Sequence, residues 1–75
     1  MKKNKDEISL HDWVWFKIRF YQKVHKLSNE ILAAYLGVSE RTLLEYEKNA
    51  ANLTLGKIEN FLKSVDLEFS ELLNL

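Results

Sequence analysis

"LGVSERTLLEYEKN", residues 36 to 49, decides how this chain is built. Leu36 closes one apolar run with helical spacing. Gly37 follows, the residue that enters the left-handed region without a Cβ penalty and so ends a helix. Ser39 comes two residues later, an N-cap type whose hydroxyl can accept a backbone N–H of the next helix. The stretch therefore spells two helices joined by a tight turn. Its second half is acidic, with Glu40, Glu45 and Glu47 against Arg41 and Lys48.

Working outward, the same signals recur. Ser28 caps a helix predicted from Asn29 to about Leu36, with Glu30 placed against its positive end and Ile31, Leu32 and Tyr35 or Leu36 as apolar positions. Ser39 caps a helix over residues 40–48, with Leu43, Tyr46 and Glu47 facing inward and Asn49 closing it in the left-handed region. Upstream, Ser9 caps a helix predicted over residues 10–26, with Ile8 and Trp13 at hydrophobic-staple spacing. Val14, Ile18, Tyr21 and His25 form one stripe on it. Trp13, Phe16 and Phe20 form a second, and the two together are wider than a core-facing side needs. Downstream, "AANL" reads as a loop. Thr54 caps a fourth helix that buries Ile58, Phe61, Leu62 and Val65. A short fifth helix near residues 69–73 closes the domain through Leu67, Leu72 and Leu73. No stretch alternates as a half-buried strand does. The expectation is an all-α, compact five-helix domain over residues 8–75, preceded by a flexible charged tail at residues 1–7.

Seventy-five residues allow one small domain. There is no Cys, and His11 and His25 stand in no ligand motif, so neither a metal nor another cofactor is expected. No apolar run approaches a membrane span, and the start "MKKNKDEISL" lacks a signal peptide's apolar centre, so a cytoplasmic protein is expected. No nucleophile–base pair and no phosphate-binding Gly loop is present, so neither an enzyme nor a small-molecule substrate is expected. Net charge is zero but uneven: residues 1–26 carry seven Lys/Arg and three Asp/Glu, residues 27–75 four and eight. Such asymmetry points to a polyanion partner, to head-to-tail self-association, or to attraction between the two halves of the fold.

Residues 14–73 resemble the helix-turn-helix domain of the phage repressor and Cro class (XRE-type). The matching residues are Leu27 and Ser28 opening helix 2, Ala33 at its middle, and Leu36-Gly37-Val38-Ser39 at the turn. Leu43, Tyr46 and Glu47 follow in helix 3, then Leu55, Ile58 and Phe61 in helix 4, and Leu67, Glu71 and Leu72 at the end. The resemblance implies a sequence-specific transcriptional regulator, acting on double-stranded DNA through helix 3, as a homodimer. It implies base contacts by Glu40, Arg41, Leu44 and Glu45, and phosphate contacts by Ser28, Asn29, Lys48, Asn49 and Lys57. The surplus aromatics Trp13, Phe16 and Phe20 are the expected dimer contact.

The chain also departs from the family. Asn29 stands where a longer Gln is usual. Gln22 stands where an Arg usually pairs with the acid at position 47, so Glu47 is expected to accept a hydrogen bond from Gln22, with Arg19 or Lys26 as its charge partner. The loop after helix 3 lacks basic residues. Arg41, Lys48 and Lys57 then face Glu30, Glu40, Glu45 and Glu59, a poor balance for holding phosphates. An alternative therefore stands beside DNA binding, in which the same fold offers its acidic helix 3 and Leu44 to a protein partner. A basic, aromatic helix 1 lying on a membrane surface is a third reading; core packing and dimerisation account for those aromatics more simply.

Overall fold

A computed structural model describes residues 9–75. The tail at residues 1–7 and the Ile8 end of the expected staple lie outside the described residues. The elements are α1 (Leu10–Val24), α2 (Asn29–Leu36), α3 (Glu40–Lys48), a 3₁₀ turn η1 (Ala50–Asn52), α4 (Leu55–Val65) and α5 (Phe69–Leu73). Among the described residues there is no strand, and the fold is all-α.

Local chemistry sets most of the boundaries. The hydroxyls of Ser9, Ser28, Ser39 and Thr54 each accept the backbone N–H three residues on, at 3.1–3.3 Å, so four helices start at a side-chain cap. At α5 the Glu68 N–H donates to Glu71 Oε1 at 2.8 Å. Gly37 adopts φ 79° and its N–H returns to Ala33 O at 2.8 Å, ending α2. Two side chains of α4 satisfy further carbonyls at this end: Asn60 Nδ2 donates to Leu36 O at 3.3 Å and Lys57 Nζ to Gly37 O at 3.4 Å. The exposed carbonyl end of α2 is thereby tied to α4.

Three boundaries differ from the sequence expectation. α1 stops at Val24 rather than residue 26, because Lys26 takes φ 56° and the Leu27 N–H reaches back to Gln22 O at 3.0 Å. Asn49 is extended, φ −162°, not left-handed, and its Oδ1 accepts the Ala51 N–H at 2.9 Å. "AANL" is the 3₁₀ turn rather than a loop, because Ala50 and Leu53 are both buried and hold it against the core.

One core collects a face from every helix. Val14, Trp15 and Ile18 come from α1, Leu32, Ala33 and Leu36 from α2, and Leu43 and Tyr46 from α3. Ala50 and Leu53 come from the turn, Ile58 and Phe61 from α4, and Leu72 from α5. Leu62, Val65, Val38, Tyr21 and Leu73 pack at its edge. Trp15, not singled out by the stripes, is the largest fully buried side chain, and its ring meets that of Tyr46 edge-on at 5.3 Å. The second stripe stays outside: Trp13, Phe16 and Phe20 are exposed, as is Ile31.

Candidate nucleic-acid interface

The side chains that α3 buries, Leu43 and Tyr46, fix which of its residues face away from the core. At 3.6 residues per turn, Arg41, Leu44, Glu45 and Lys48 then occupy the outward arc, and all four are exposed. Glu40 precedes them in the first turn, where its charge also favours the helix end. Among the described residues the ion pair formed is Arg19–Glu47, so Arg41 and Glu45 are not joined, although four residues separate them.

A groove lies on each side of this arc. The first, about 540 Å³, is lined by Trp15, Phe16, Arg19, Gln22, Lys23, Lys26, Leu27, Asn29 and, from α3, Glu47. The second, about 460 Å³, is lined by Gly37, Val38, Asn49, Asn52 and Lys57, with Thr42 and Glu45 from the opposite flank of α3. The outward arc of α3 is therefore a ridge between two grooves, the first partly aromatic through Trp15 and Phe16 and the second mostly polar.

A hydrogen-bonded chain of side chains forms the floor of the first groove. Arg19 Nε donates to Glu47 Oε2 at 2.8 Å, and the Trp15 indole N–H donates to the same oxygen. Arg19 Nη1 donates to Gln22 Oε1 and to Asn29 Oδ1. Gln22 Nε2 donates to Leu27 O at 3.0 Å and to Asn29 Oδ1 at 2.9 Å. Gln22 is 9% exposed, the one buried polar residue among the described residues, and its amide is satisfied on both sides. The expected Gln22–Glu47 hydrogen bond is not formed, and Lys26 is not the charge partner. Arg19 holds that place from one turn earlier on α1, because Gln22 is turned toward the α1–α2 corner. Nor does Glu47 face inward; its side chain is 42% exposed. Burial alone raises its carboxyl, but the hydrogen bonds from Arg19 and Trp15 and the Arg19 charge outweigh it, and the carboxyl sits below its ordinary value. Burial, and then the charge of Glu45, raise the Tyr46 hydroxyl.

This network orients Asn29. Its Oδ1 accepts from two donors inside the groove, which leaves the carboxamide N–H₂ as the end available to a ligand. Asn29 is also the first residue of α2, where backbone N–H groups and the positive helix end gather. The Ser28 hydroxyl accepts the Ile31 N–H and keeps its own O–H as a donor. Asn49 likewise spends its oxygen on Ala51 and keeps its N–H₂. Lys48 stands on the outward arc itself, whereas Lys57 already contacts Gly37 O across the second groove.

Two cations missing from the expected set line the first groove: Lys23 and Lys26 of the α1–α2 corner. Their signal in the sequence was the basic balance of residues 1–26. Glu59, counted against phosphate binding, lies elsewhere, in an apolar groove with Leu55, Ile58, Leu62 and Phe69. With Glu47 neutralised by Arg19, the ridge, its grooves and the first turn of α2 carry Lys23, Lys26, Arg41, Lys48 and Lys57 against Glu30, Glu40 and Glu45. The balance is five against three, which reverses the sequence count.

No protein-family model, curated protein or solved structure matches this chain. Among the described residues no group of His, Asp and Glu could hold a metal ion, and no helix is long and apolar enough to cross a membrane.

Proposed function

We propose that this chain is a sequence-specific DNA-binding regulator of the helix-turn-helix type, with α2 and α3 as the motif and α3 as the helix that enters the major groove. It acts in the cytoplasm, where its DNA target lies, and its role is binding rather than catalysis. The observation that carries this reading is the ridge between grooves. A helix lying in the major groove meets base edges along its outward arc and a phosphate strand on either side. Here the arc offers Arg41, Leu44 and Glu45, while donors flank it on both sides: Lys23, Lys26 and Asn29 in one groove, Asn49 and Lys57 in the other.

Roles follow from chemistry. Arg41 is the cation of the first turn and is free to make a bidentate contact with guanine O6 and N7. Glu45 accepts from cytosine N4, and Leu44 packs on a thymine methyl. Lys23, Lys26 and the Asn29 amide neutralise or donate to one phosphate strand; Lys48, Asn49 and Lys57 serve the other. Glu40 remains chiefly a stabiliser of the helix start.

One observation favours a second reading. Leu44 is 54% exposed between Glu40 and Glu45, a pattern equally suited to a basic, apolar protein partner. The experiment that separates the two is a titration of the purified protein with random-sequence duplex at low salt. DNA binding predicts a shift that weakens as salt rises. No shift at any salt assigns the ridge to a protein partner.

A further inference from the structure

Among the described residues nothing covers the outer face of α1. α1 buries Val14, Trp15, Ile18 and Gln22. At 100° per residue, Trp13, Phe20 and Val24 then lie opposite the core, flanked by Phe16 and Lys17. Trp13 is 45% exposed, Phe16 54%, Phe20 52% and Val24 56%. Four large apolar side chains on one side of a 15-residue helix form a continuous ridge, and Trp and Phe are typical anchors of protein contacts.

We propose that this ridge is the contact for a second copy of the chain, with the two α1 helices packed antiparallel about a two-fold axis that crosses the outer face of α1 at the level of Lys17 and Ile18. Three features of the helix select that occupant and that direction. The ends carry opposite charge, Asp12 in the first turn and Lys23 with Lys26 at the close. Antiparallel pairing sets Asp12 of each copy against Lys23 of the other, and a two-fold perpendicular to the helices keeps both on the same edge. The ridge is bulky at its start and thin at its end, so antiparallel copies lay Trp13 over the Lys23–Val24 end of the partner helix and Phe16 against Phe20. A parallel pair would stack Trp13 on itself and bring lysines together. The helix dipoles also oppose only in the antiparallel arrangement. Lys17 already stands 5.2 Å from the Trp13 ring centroid, and a second lysine from the partner helix would share that face.

Area sets the strength. Three half-exposed aromatics offer about 200–400 Å² per copy. Val24 and the stems of Lys17 and Lys23 add to it, still short of the roughly 800 Å² per partner of a standard interface. The dimer is accordingly a weak one, populated at micromolar concentration and above. It forms without DNA, but it shares Lys23 and Phe16 with the edge of the first groove, so its test contains no nucleic acid and its failure is read separately from that of the proposed function.

The test uses the whole chain in the absence of nucleic acid. Sedimentation of the wild type from about 1 to 500 μM should show a reversible monomer–dimer equilibrium. Phe20→Glu, which replaces a solvent-facing side chain of the monomer, should weaken the dimer at least tenfold with unchanged helical circular dichroism. The chain has no Cys, so Trp13→Cys and Lys23→Cys each give a single thiol. In an equimolar mixture a short thiol crosslinker should join Trp13→Cys to Lys23→Cys in excess over like pairs. Antiparallel copies keep like positions about 15 Å apart along the axis. A monomer at every concentration overturns the proposal. So does a dimer that ignores Phe20→Glu but is lost in Leu55→Ser, or a preference for crosslinks between like positions. A monomer whose tryptophan emission shifts on anionic vesicles assigns the ridge to a lipid surface instead.

Discussion

Arg19 Nε lies 2.8 Å from Glu47 Oε2, an ion pair that bolts the middle of α1 to the end of α3. The same carboxylate takes the indole N–H of the buried Trp15. A half-exposed pair is ordinarily worth little, but this one also satisfies the indole donor of the largest core side chain. Glu47→Ala should cost about 1–2 kcal/mol in chemical unfolding. A double-mutant cycle with Arg19→Met should give a coupling of about 0.5–1 kcal/mol; independent effects would show that the contact is incidental.

The pair also sets a pH response. The folded Glu47 carboxyl lies below its ordinary value of 4.5. Its contribution is therefore fully present above that value and is lost as pH falls through the lower folded value. Wild-type stability should decline as pH drops below 4.5, and Glu47→Gln should start lower at neutral pH yet decline less over that interval. Parallel curves for the two proteins would contradict the assignment.

Trp15 should be the most costly single truncation. Phe or Trp to Ala in a core costs about 3–5 kcal/mol, and a domain of this size has about 4–11 kcal/mol in all. Trp15→Ala should leave the chain largely unfolded at 37 °C by circular dichroism, whereas Trp13→Ala should leave the helical signal intact. Equal loss in both would mean that the second stripe is also part of the core.

Gly37→Ala tests the turn that precedes α3. Its φ of 79° is costly for an L side chain, and an added Cβ would meet Asn60 Nδ2 at 3.1 Å. The expected loss is about 1–2 kcal/mol by thermal or denaturant unfolding, part of it arising because Asn60 must release Leu36 O. A stability equal to wild type would contradict the tight closure of α2 on α4.

Much of the fold was written locally. Ser28, Ser39 and Thr54 each announce a helix within three residues, and α2, α3 and α5 span the residues that the spacing predicts, although Asn49 closes α3 extended rather than left-handed. What escaped the sequence is what depends on the angle between helices. Aromatics at positions 13, 15, 16, 20 and 21 surround α1, so periodicity alone could not promote Trp15 over Trp13 to the core. Arg19 and Gln22 share a flank of α1, and only its crossing with α3 decides which one reaches Glu47. The early end of α1 at Val24, with Lys26 left-handed beyond it, has no Gly or Asn to mark it. That corner brings Lys23 and Lys26 to the start of α2, which is why these two cations were invisible to a count made along α2 and α3.

Those lysines make a distinct prediction. Lys23→Gln and Lys26→Gln should weaken binding to all DNA sequences alike, each lowering the slope of log K against log salt by about 1. Lys63→Gln, on α4 and outside both grooves, should leave the slope unchanged. A slope insensitive to Lys23 and Lys26 would remove the first groove from the interface.

Selection from a random duplex library with wild type and Arg41→Ala in parallel shows whether the outward arc of α3 reads DNA. Wild type should enrich a defined site containing guanine. Arg41→Ala should lose about 1–3 kcal/mol of preference at that guanine while keeping its fold and its low-salt nonspecific binding. No enriched site for wild type, or the same site enriched equally by Arg41→Ala, would contradict it.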